Sequence, residues 1–436
     1  MLTKFQNHLE QNFPYLKDKK LLLAVSGGLD SMFLMHLFHQ LNYDIAIAHC
    51  NFQLRGKESD EDENFVKVKS EKLKVKSYFI RFETEKFANE NKLSIQLAAR
   101  KLRYDWFCQL LENENYDYLL TAHHLDDQLE TFLINLSRGT GIEGLTGIPA
   151  TNDKIIRPLL LFSREEILAF AEENSISWRE DSSNASTKYL RNRIRHEVIP
   201  VLKTLNPNFL ESFENTLEHL NQANTLVNDA AKLQFDLVVE KSNNQYIFDI
   251  SKVLELSNYK AYLYQWLKDF GFTAWNDIYD LVHANSGKQI FSETHVLLKD
   301  RNHLILFEKR DSQQSESYFV NDFNSKVNIP LNLSFCKVAN ISNANANCIF
   351  VDENQLKLPL VIRKWQEGDV FYPAGMSGKK KLSKFFKDEK YSLLDKQNQW
   401  LLCSNDEIVW VIGKRADQRF ITKETTQNSI KIVLEE

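Results

Sequence analysis

The chain has no run of about 18 consecutive apolar residues, so no membrane-spanning helix is expected. Cysteine is sparse: Cys50, Cys108, Cys336, Cys348 and Cys403 stand far apart, and none forms a C-x-x-C pair. A disulfide framework and a cysteine zinc site are therefore not expected, and most of the thiols read as buried, reduced core residues. The pattern G-x-x-x-x-G-K-S/T is absent, which turns the reading away from phosphoryl transfer of the kinase or GTPase kind. Positive charge is not in excess: 54 Lys and Arg face 59 Asp and Glu, which argues against a uniformly basic nucleic-acid binder. The opening MLTKFQNHLEQNFPYLKDKK lacks the apolar centre of a secretion signal. Its Phe5, Leu9 and Phe13 instead predict a short amphipathic helix, and the expectation is a cytoplasmic protein without membrane contact.

What is present is led by Leu21 to Leu41, LLLAVSGGLDSMFLMHLFHQL. The apolar run Leu21 to Val25 reads as a buried strand, broken at Ser26-Gly27-Gly28, with an apolar-rich helix starting at Asp30-Ser31. Glycines let backbone N–H groups approach a ligand, and the helix N-terminus adds unpaired donors with a partial positive charge. This is the sequence of a phosphate cradle. Further strands are expected at Asp44 to Cys50, Lys76 to Phe82 and Tyr116 to Ala122, with a long helix over Ile95 to Glu114 whose buried stripe would be Leu97, Leu102, Trp106, Leu110 and Leu111. Alternating strand and helix over about 160 residues predicts a parallel sheet with helices on both faces, and ligands outside the carboxyl ends of its strands. Three strand ends, Ser26-Gly27-Gly28, His49-Cys50-Asn51 and His123-His124, should meet in one crevice.

After the fourth strand, Asp126 to Leu136 reads as a helix packed through Leu129, Phe132, Leu133 and Leu136. Asp127 and Glu130 are three apart and share one face, while Asp126 points elsewhere. Gly139 to Gly144 fits G-x-G-x-x-G but follows a helix instead of a strand, so a closely packed turn is the preferred reading. Ser163 to Glu166 carries a capping box. Lys188, Arg191, Arg193, Arg195 and Lys203, with Arg191 and Arg195 on one helical face, are read as a polyanion contact. A long helix over Pro207 to about Glu240, helical patterns at Lys252 to Phe270 and Asn276 to Ala284, and a strand at Arg301 to Glu308 follow. Residues 310 to 345 are polar and read as loop or linker. The final 90 residues read as short strands, with eight basic residues against four acids between Arg363 and Lys390, interleaved with Trp365, Phe371, Tyr372, Phe385 and Phe386. Basic residues interleaved with aromatics suit RNA.

Strand, SGGLDS and helix together resemble the pyrophosphate loop of the N-type ATP pyrophosphatases, which split ATP between the α and β phosphates and adenylate an oxygen of the substrate. Within that superfamily, several elements resemble the tRNA(Ile)-lysidine synthases: HHLDDQLET with RGTGIEGLTG, Ala99-Arg100-Lys101-Leu102-Arg103-Tyr104, Asp181-Ser182-Ser183-Asn184, Arg191-Asn192-x-Ile194-Arg195, and Gly368-Asp369 with Lys379-Lys380-Lys381-Leu382 to Asp388. The chain departs at Phe52-Gln53, where that family usually has His-Gly, and near Tyr391 and Lys396. The resemblance implies an α/β fold: a parallel-sheet PP-loop ATPase domain (1–205), a mainly helical middle domain (206–325) and a small α+β C-terminal domain (340–436), the last two binding tRNA. It implies a ligase that uses ATP with Mg²⁺ and joins L-lysine to the wobble cytidine of tRNA(Ile) with a CAU anticodon. Homodimers occur in the family.

The site residues expected on this basis are Ser26, Gly27, Gly28, Leu29 and Ser31 for pyrophosphate and Asp30 as a metal-linked acid. Arg103 and Arg195 would neutralise phosphate charge, and Asp127 and Glu130 would take the lysine amino groups. The rivals are another PP-loop enzyme such as a tRNA thiolase, whose sulfur chemistry typically uses a reactive cysteine, and an RNA-binding protein with a degenerate ATP domain.

Overall fold

The computed structural model describes residues 1–180, 190–242, 244–309, 317–338, 344–423 and 426–435. These fall into two compact units, Met1–Asp229 and Ala230–Glu436. The DSSN element at 181–184, Lys188, and parts of the 310–345 stretch lie outside the described residues.

The first unit begins with α1 (Leu2–Asn12), then β1 (Lys20–Ala24), α2 (Leu29–Gln40), β2 (Asp44–Asn51), α3 (Lys57–Leu73) and β3 (Lys76–Arg81). It continues with α4 (Thr84–Glu90), α5 (Ile95–Asn113), β4 (Tyr118–Leu120), α6 (Leu125–Arg138), β5 (Thr151–Asn152), β6 (Ile155–Ile156), α7 (Arg164–Glu173), α8 (Leu190–Arg193) and α9 (Ile199–Leu205). A long helix, α10 (Phe209–Val238), runs across the boundary between the units. The sheet order is β3-β2-β1-β4-β6-β5, parallel except for the β5–β6 pair. From β1 the chain builds outward to β3, then returns to add β4 on the other side. The order therefore reverses between β1 and β4, which leaves a crevice at their carboxyl ends.

The sequence of β1 explains its central place. Leu21 and Leu23 are fully buried against α1, α2 and α7, while Leu22 is buried in a second cluster with Ala46, Ala48, Phe107 and Leu111. A strand covered on both faces must be apolar at every position, as LLLA is. Helix α2 is likewise enclosed, with Met32, Phe33, Leu34, Met35, Leu37 and Phe38 all buried. Two expected core positions are exposed instead: Leu97, in the first turn of α5, and Leu136, near the end of α6. On α5 the fully buried positions are Ala98, Phe107 and Leu111. The glycine-rich stretch after α6 is a turn: Gly139 closes the helix at φ 73°, and Ile142–Leu145 forms a short 3₁₀ segment. A Cβ on Gly144 would meet Thr140 Oγ1 at 2.0 Å, so close packing explains that glycine.

In the second unit, helices Ile250–Glu255, Tyr259–Leu267 and Trp275–Leu281 form the helical middle region. They pack on a five-stranded antiparallel sheet (Val239–Ser242, Gln245–Asp249, His303–Glu308, His295–Asp300, Gln289–Phe291), of which the sequence reading had assigned only the strand near 301–308. The helix expected over 252–270 is interrupted at 256–258. The C-terminal region carries a five-stranded and a four-stranded sheet. Strands Ser317–Val320, Lys326–Val327 and Leu333–Val338 lie within the stretch read as linker.

The aromatics of the basic C-terminal segment have a structural role. Phe371, Phe385 and Phe386 are fully buried with Leu382, Leu401 and Val411, so they are core and offer no ring to a base. Arg363 makes a two-pronged ion pair with Asp369 (2.8 and 2.9 Å), and Lys380 pairs with Asp388 (2.7 Å).

Candidate active site

The phosphate loop sits at the carboxyl end of β1. Gly27 holds φ +94°, a conformation that strains other residues, and a Cβ there would press to 3.2 Å from Val66. Gly28 is the N-cap of α2 and brings no side chain to cap it, so the first-turn N–H groups remain open to a ligand. The two serines brace the loop: Ser31 Oγ donates to Gly28 O (2.9 Å) and accepts from Ser26 N (3.2 Å), and the two hydroxyls lie 3.2 Å apart. The backbone N–H of Arg179 donates to Gly27 O at 3.0 Å, tying the segment after α7 to the loop.

This loop forms one wall of a cleft of about 990 Å³, lying within the first unit. The cleft is lined by all six residues from Ser26 to Ser31, by Cys50 and His123 from the ends of β2 and β4, and by Arg103, Asp127 and Arg195. The strand ends thus converge as expected, but not every residue in them faces the space. His49 is buried, with Nδ1 2.8 Å from Val25 O, and Asn51 donates to Asp60 and Glu63.

Asp127 and Glu130 share the expected face of α6. Glu130 is buried, and each of its carboxylate oxygens accepts from a guanidinium, Oε2 from Arg191 Nε (2.6 Å) and Oε1 from Arg195 Nε. Asp127 Oδ1 accepts from Arg191 (2.9 Å) and lies 3.5 Å from Arg195, while Oδ2 accepts from the His124 backbone N–H (3.1 Å). Burial favours the protonated form of Asp127, but His124 and Arg191 outweigh it and hold the carboxyl below its usual range. Arg195 sits in a π-helical turn, Ile194–Val198, entered from α8 and left into α9. Pro200 has no N–H to continue the regular pattern there, which accounts for the wider turn.

One expectation is corrected. Arg191 and Arg195 are not a free polyanion surface, since both turn into the cleft onto acids. Arg193 pairs with Glu197, and Lys203 with Asp126 and Glu165. Asp126 does point elsewhere, as expected: it is buried, accepts from the Arg164 backbone N–H (2.8 Å) and is held far below the carboxylate range against the pull of burial, by His124, Arg164 and Lys203.

Asp30 lines the cleft with one oxygen engaged. Oδ2 lies 3.3 Å from Arg164 and 3.6 Å from His124 Nε2, whereas Oδ1 is buried and has no hydrogen-bond partner among the described residues. An acid with an unclaimed buried oxygen beside a phosphate cradle suits a divalent cation. Sequence reasoning missed three arginines of the cleft and anticipated His123 only as part of a strand end. Arg164 reaches Asp30. Arg179 and Arg55 both pair with Asp62 at the rim. His123 lines the cleft with its pKa pushed down to about 4, chiefly by burial, so its ring is neutral at neutral pH. The spacing of SREE and WRE offered only a capping signal for the first of these and none for the others. Cys50 is no reactive thiolate: burial pushes it up to about 12 despite nearby Arg103.

Arg103 stands apart from the other arginines of the cleft. It is exposed and, among the described residues, has no carboxylate or hydrogen-bond partner; its guanidinium lies over the Phe52 ring, 5.1 Å from the centroid.

Comparison with known proteins places this geometry. The family model described as a PP-loop domain matches residues 1–202, the TilS substrate binding domain 241–309, and the TilS substrate C-terminal domain 360–433. A tRNA(Ile)-lysidine synthase of Parabacteroides distasonis is 38% identical over 98% of each chain, and one of Bacteroides thetaiotaomicron is 36% identical over 97% of each. That of Bacillus subtilis is 30% identical over 96% of this chain and 94% of its own. A solved U34-tRNA thiolase from Methanococcus maripaludis, at 18% identity and TM-score 0.41 over 50% of this chain and 79% of its own, is too distant to weigh against them. The chain belongs to the tRNA(Ile)-lysidine synthase family.

Proposed function

We propose that the cleft of the first unit carries out ATP-dependent joining of L-lysine to C2 of the wobble cytidine in a CAU-anticodon tRNA(Ile). The observation that carries the reading is the pairing, in one cleft, of an uncapped helix N-terminus behind SGGLDS with the acid pair Asp127 and Glu130. The chemistry has two problems. The C2 oxygen of cytosine is a poor leaving group, and a lysine ε-ammonium, with a pKa near ~10.4, is not nucleophilic until deprotonated. In the first step the C2 oxygen attacks the α-phosphorus of ATP, a new P–O bond forms, and pyrophosphate leaves. In the second, the lysine Nε attacks C2, the C2–O bond breaks, and AMP departs with that oxygen while the amine loses its proton.

The residues divide accordingly. The open first-turn N–H group at Leu29, with the hydroxyls of Ser26 and Ser31, receives pyrophosphate. Asp30 would hold Mg²⁺ through its unclaimed oxygen; the ion supplies charge neutralisation among the phosphates when bound. Arg103, with no acid beside it among the described residues, meets charge developing at phosphorus. Asp127 and Glu130 act as counter-ions for the lysine amino groups, which must share or exchange places with Arg191 and Arg195. One of the two carboxylates takes up the proton that the amine loses. The basic C-terminal region, residues 340–436, and the middle region would contact tRNA. The test is incubation with ATP, lysine and the transcript, followed by mass spectrometry for lysidine. The expected result is lysidine with stoichiometric pyrophosphate; pyrophosphate release indifferent to lysine and tRNA would refute it.

A further inference from the structure

Arg103 has no hydrogen bond or ion pair among the described residues, yet it borders the cleft beside the phosphate loop. A free arginine samples many rotamers, so something other than a salt bridge must limit it. The contact present is the ring of Phe52, which is set by hydrogen bonds of its own loop backbone and by ring stacking. The turn after β2 is closed by Gln53, at φ 55°, whose N–H donates to Asn51 Oδ1 (2.9 Å). Phe52 O accepts from the buried Thr84 hydroxyl (2.9 Å). The Phe52 ring stacks on Phe82, with centroids 5.7 Å apart and planes at 25°, and Phe82 meets the Trp106 ring edge-on at 6.5 Å and 85°. Trp106 lies one helical turn beyond Arg103 on α5, so the ladder of rings starts and ends on the same helix.

We propose that Phe52 is a positioning residue of this active site: its ring, braced by Phe82 and Trp106, holds the Arg103 guanidinium at the cleft by a cation–π contact while leaving all five N–H donors free for phosphate oxygens. An acid in the same place would orient the arginine equally well, but it would claim those donors and offset their charge. A ring holds the cation without competing for its hydrogen bonds. The proposal rests on the reading that Arg103 acts on phosphate in the adenylation step.

The test is a double-mutant cycle on pyrophosphate release with saturating tRNA and lysine. Arg103→Ala alone should lower kcat strongly. Phe52→Leu should lower kcat about three- to five-fold, the scale of an exposed cation–π contact, with the KM for lysine unchanged. Phe52→Tyr, which keeps the ring, should stay within about two-fold of the parent. In the Arg103→Ala background, Phe52→Leu should have no further effect. An undiminished rate for Arg103→Ala would overturn the role given to the arginine. A loss in Arg103→Ala with equal effects of Phe52→Leu in both backgrounds, or with no effect of Phe52→Leu at all, would overturn the role given to Phe52 alone.

Discussion

The two walls of the cleft hold their arginines in opposite ways. On the wall formed by the end of β2 and by α5, Arg103 rests on an aromatic ring and keeps its donors. On the wall formed by α6, α8 and the π-helical turn after it, Arg191 and Arg195 are locked onto Asp127 and Glu130, so their charge is balanced before any substrate arrives. From sequence alone, Arg103 and Arg195 share one expected task. The difference teaches that the surroundings of a guanidinium set what it can offer: among the described residues one wall leaves its cation without an acid, and the other balances both of its cations with carboxylates.

Substitutions on the two walls and at the acid between them should separate these roles. The largest effect is expected at the phosphate end: Asp30→Ala should reduce pyrophosphate release on the order of 10²- to 10³-fold, the scale of removing a group that stabilises transition-state charge, without loss of folded protein by circular dichroism. Arg103→Ala should follow at about 10²-fold in kcat, with little change in unfolding temperature because the side chain is exposed and unpaired. On the opposite wall, Glu130→Gln should act on stability and lysine binding together. A denaturant titration should show a loss of about 2 kcal/mol, below the cost for a fully buried pair because Arg191 and Arg195 keep partial access to water, and the KM for lysine should rise. If Glu130→Gln instead left lysine KM unchanged and Arg103→Ala raised it, the division between the walls would be reversed.

A smaller effect is expected from pH. Asp126 and Asp127 are both held below their ordinary value of 3.8 in the folded chain. Their contribution is therefore present above that pH and fades as pH falls through the lowered folded values. Asp126→Asn should flatten the acid limb of stability measured between pH 5 and 2, a range set by carboxylate titration. The smallest effect is expected at Cys50: with its thiol pushed up to about 12, Cys50→Ala should leave the rate within about two-fold, whereas a sulfur-transfer enzyme relying on it would be inactivated.

Much of this was legible because it is local. LLLA, SGGLDS and the apolar helix after it specify a buried strand, a turn needing glycine and an enclosed helix within 21 residues. The i, i+3 spacing of Asp127 and Glu130 placed them on one face. What escaped depends on contacts between distant segments. Arg191 meets Glu130 across 61 positions, and Phe52 meets Arg103 across the whole of α3, β3 and α4; no periodicity encodes either pairing. The C-terminal aromatics are a different failure. Leu382, Phe385 and Phe386 stand at i, i+3 and i+4, the spacing of a helix core, and that signal outweighed the basic residues between them.

The central claim is that one cleft both activates a cytidine oxygen and admits an amine. A staged reaction tests it most directly. With ATP and a CAU-anticodon tRNA(Ile) transcript but no lysine, the account predicts an adenylated tRNA together with pyrophosphate; adding lysine should then release AMP and leave lysidine at the wobble position, read by mass spectrometry. Adenylated lysine formed without tRNA, or AMP released with the cytidine unchanged, would contradict it.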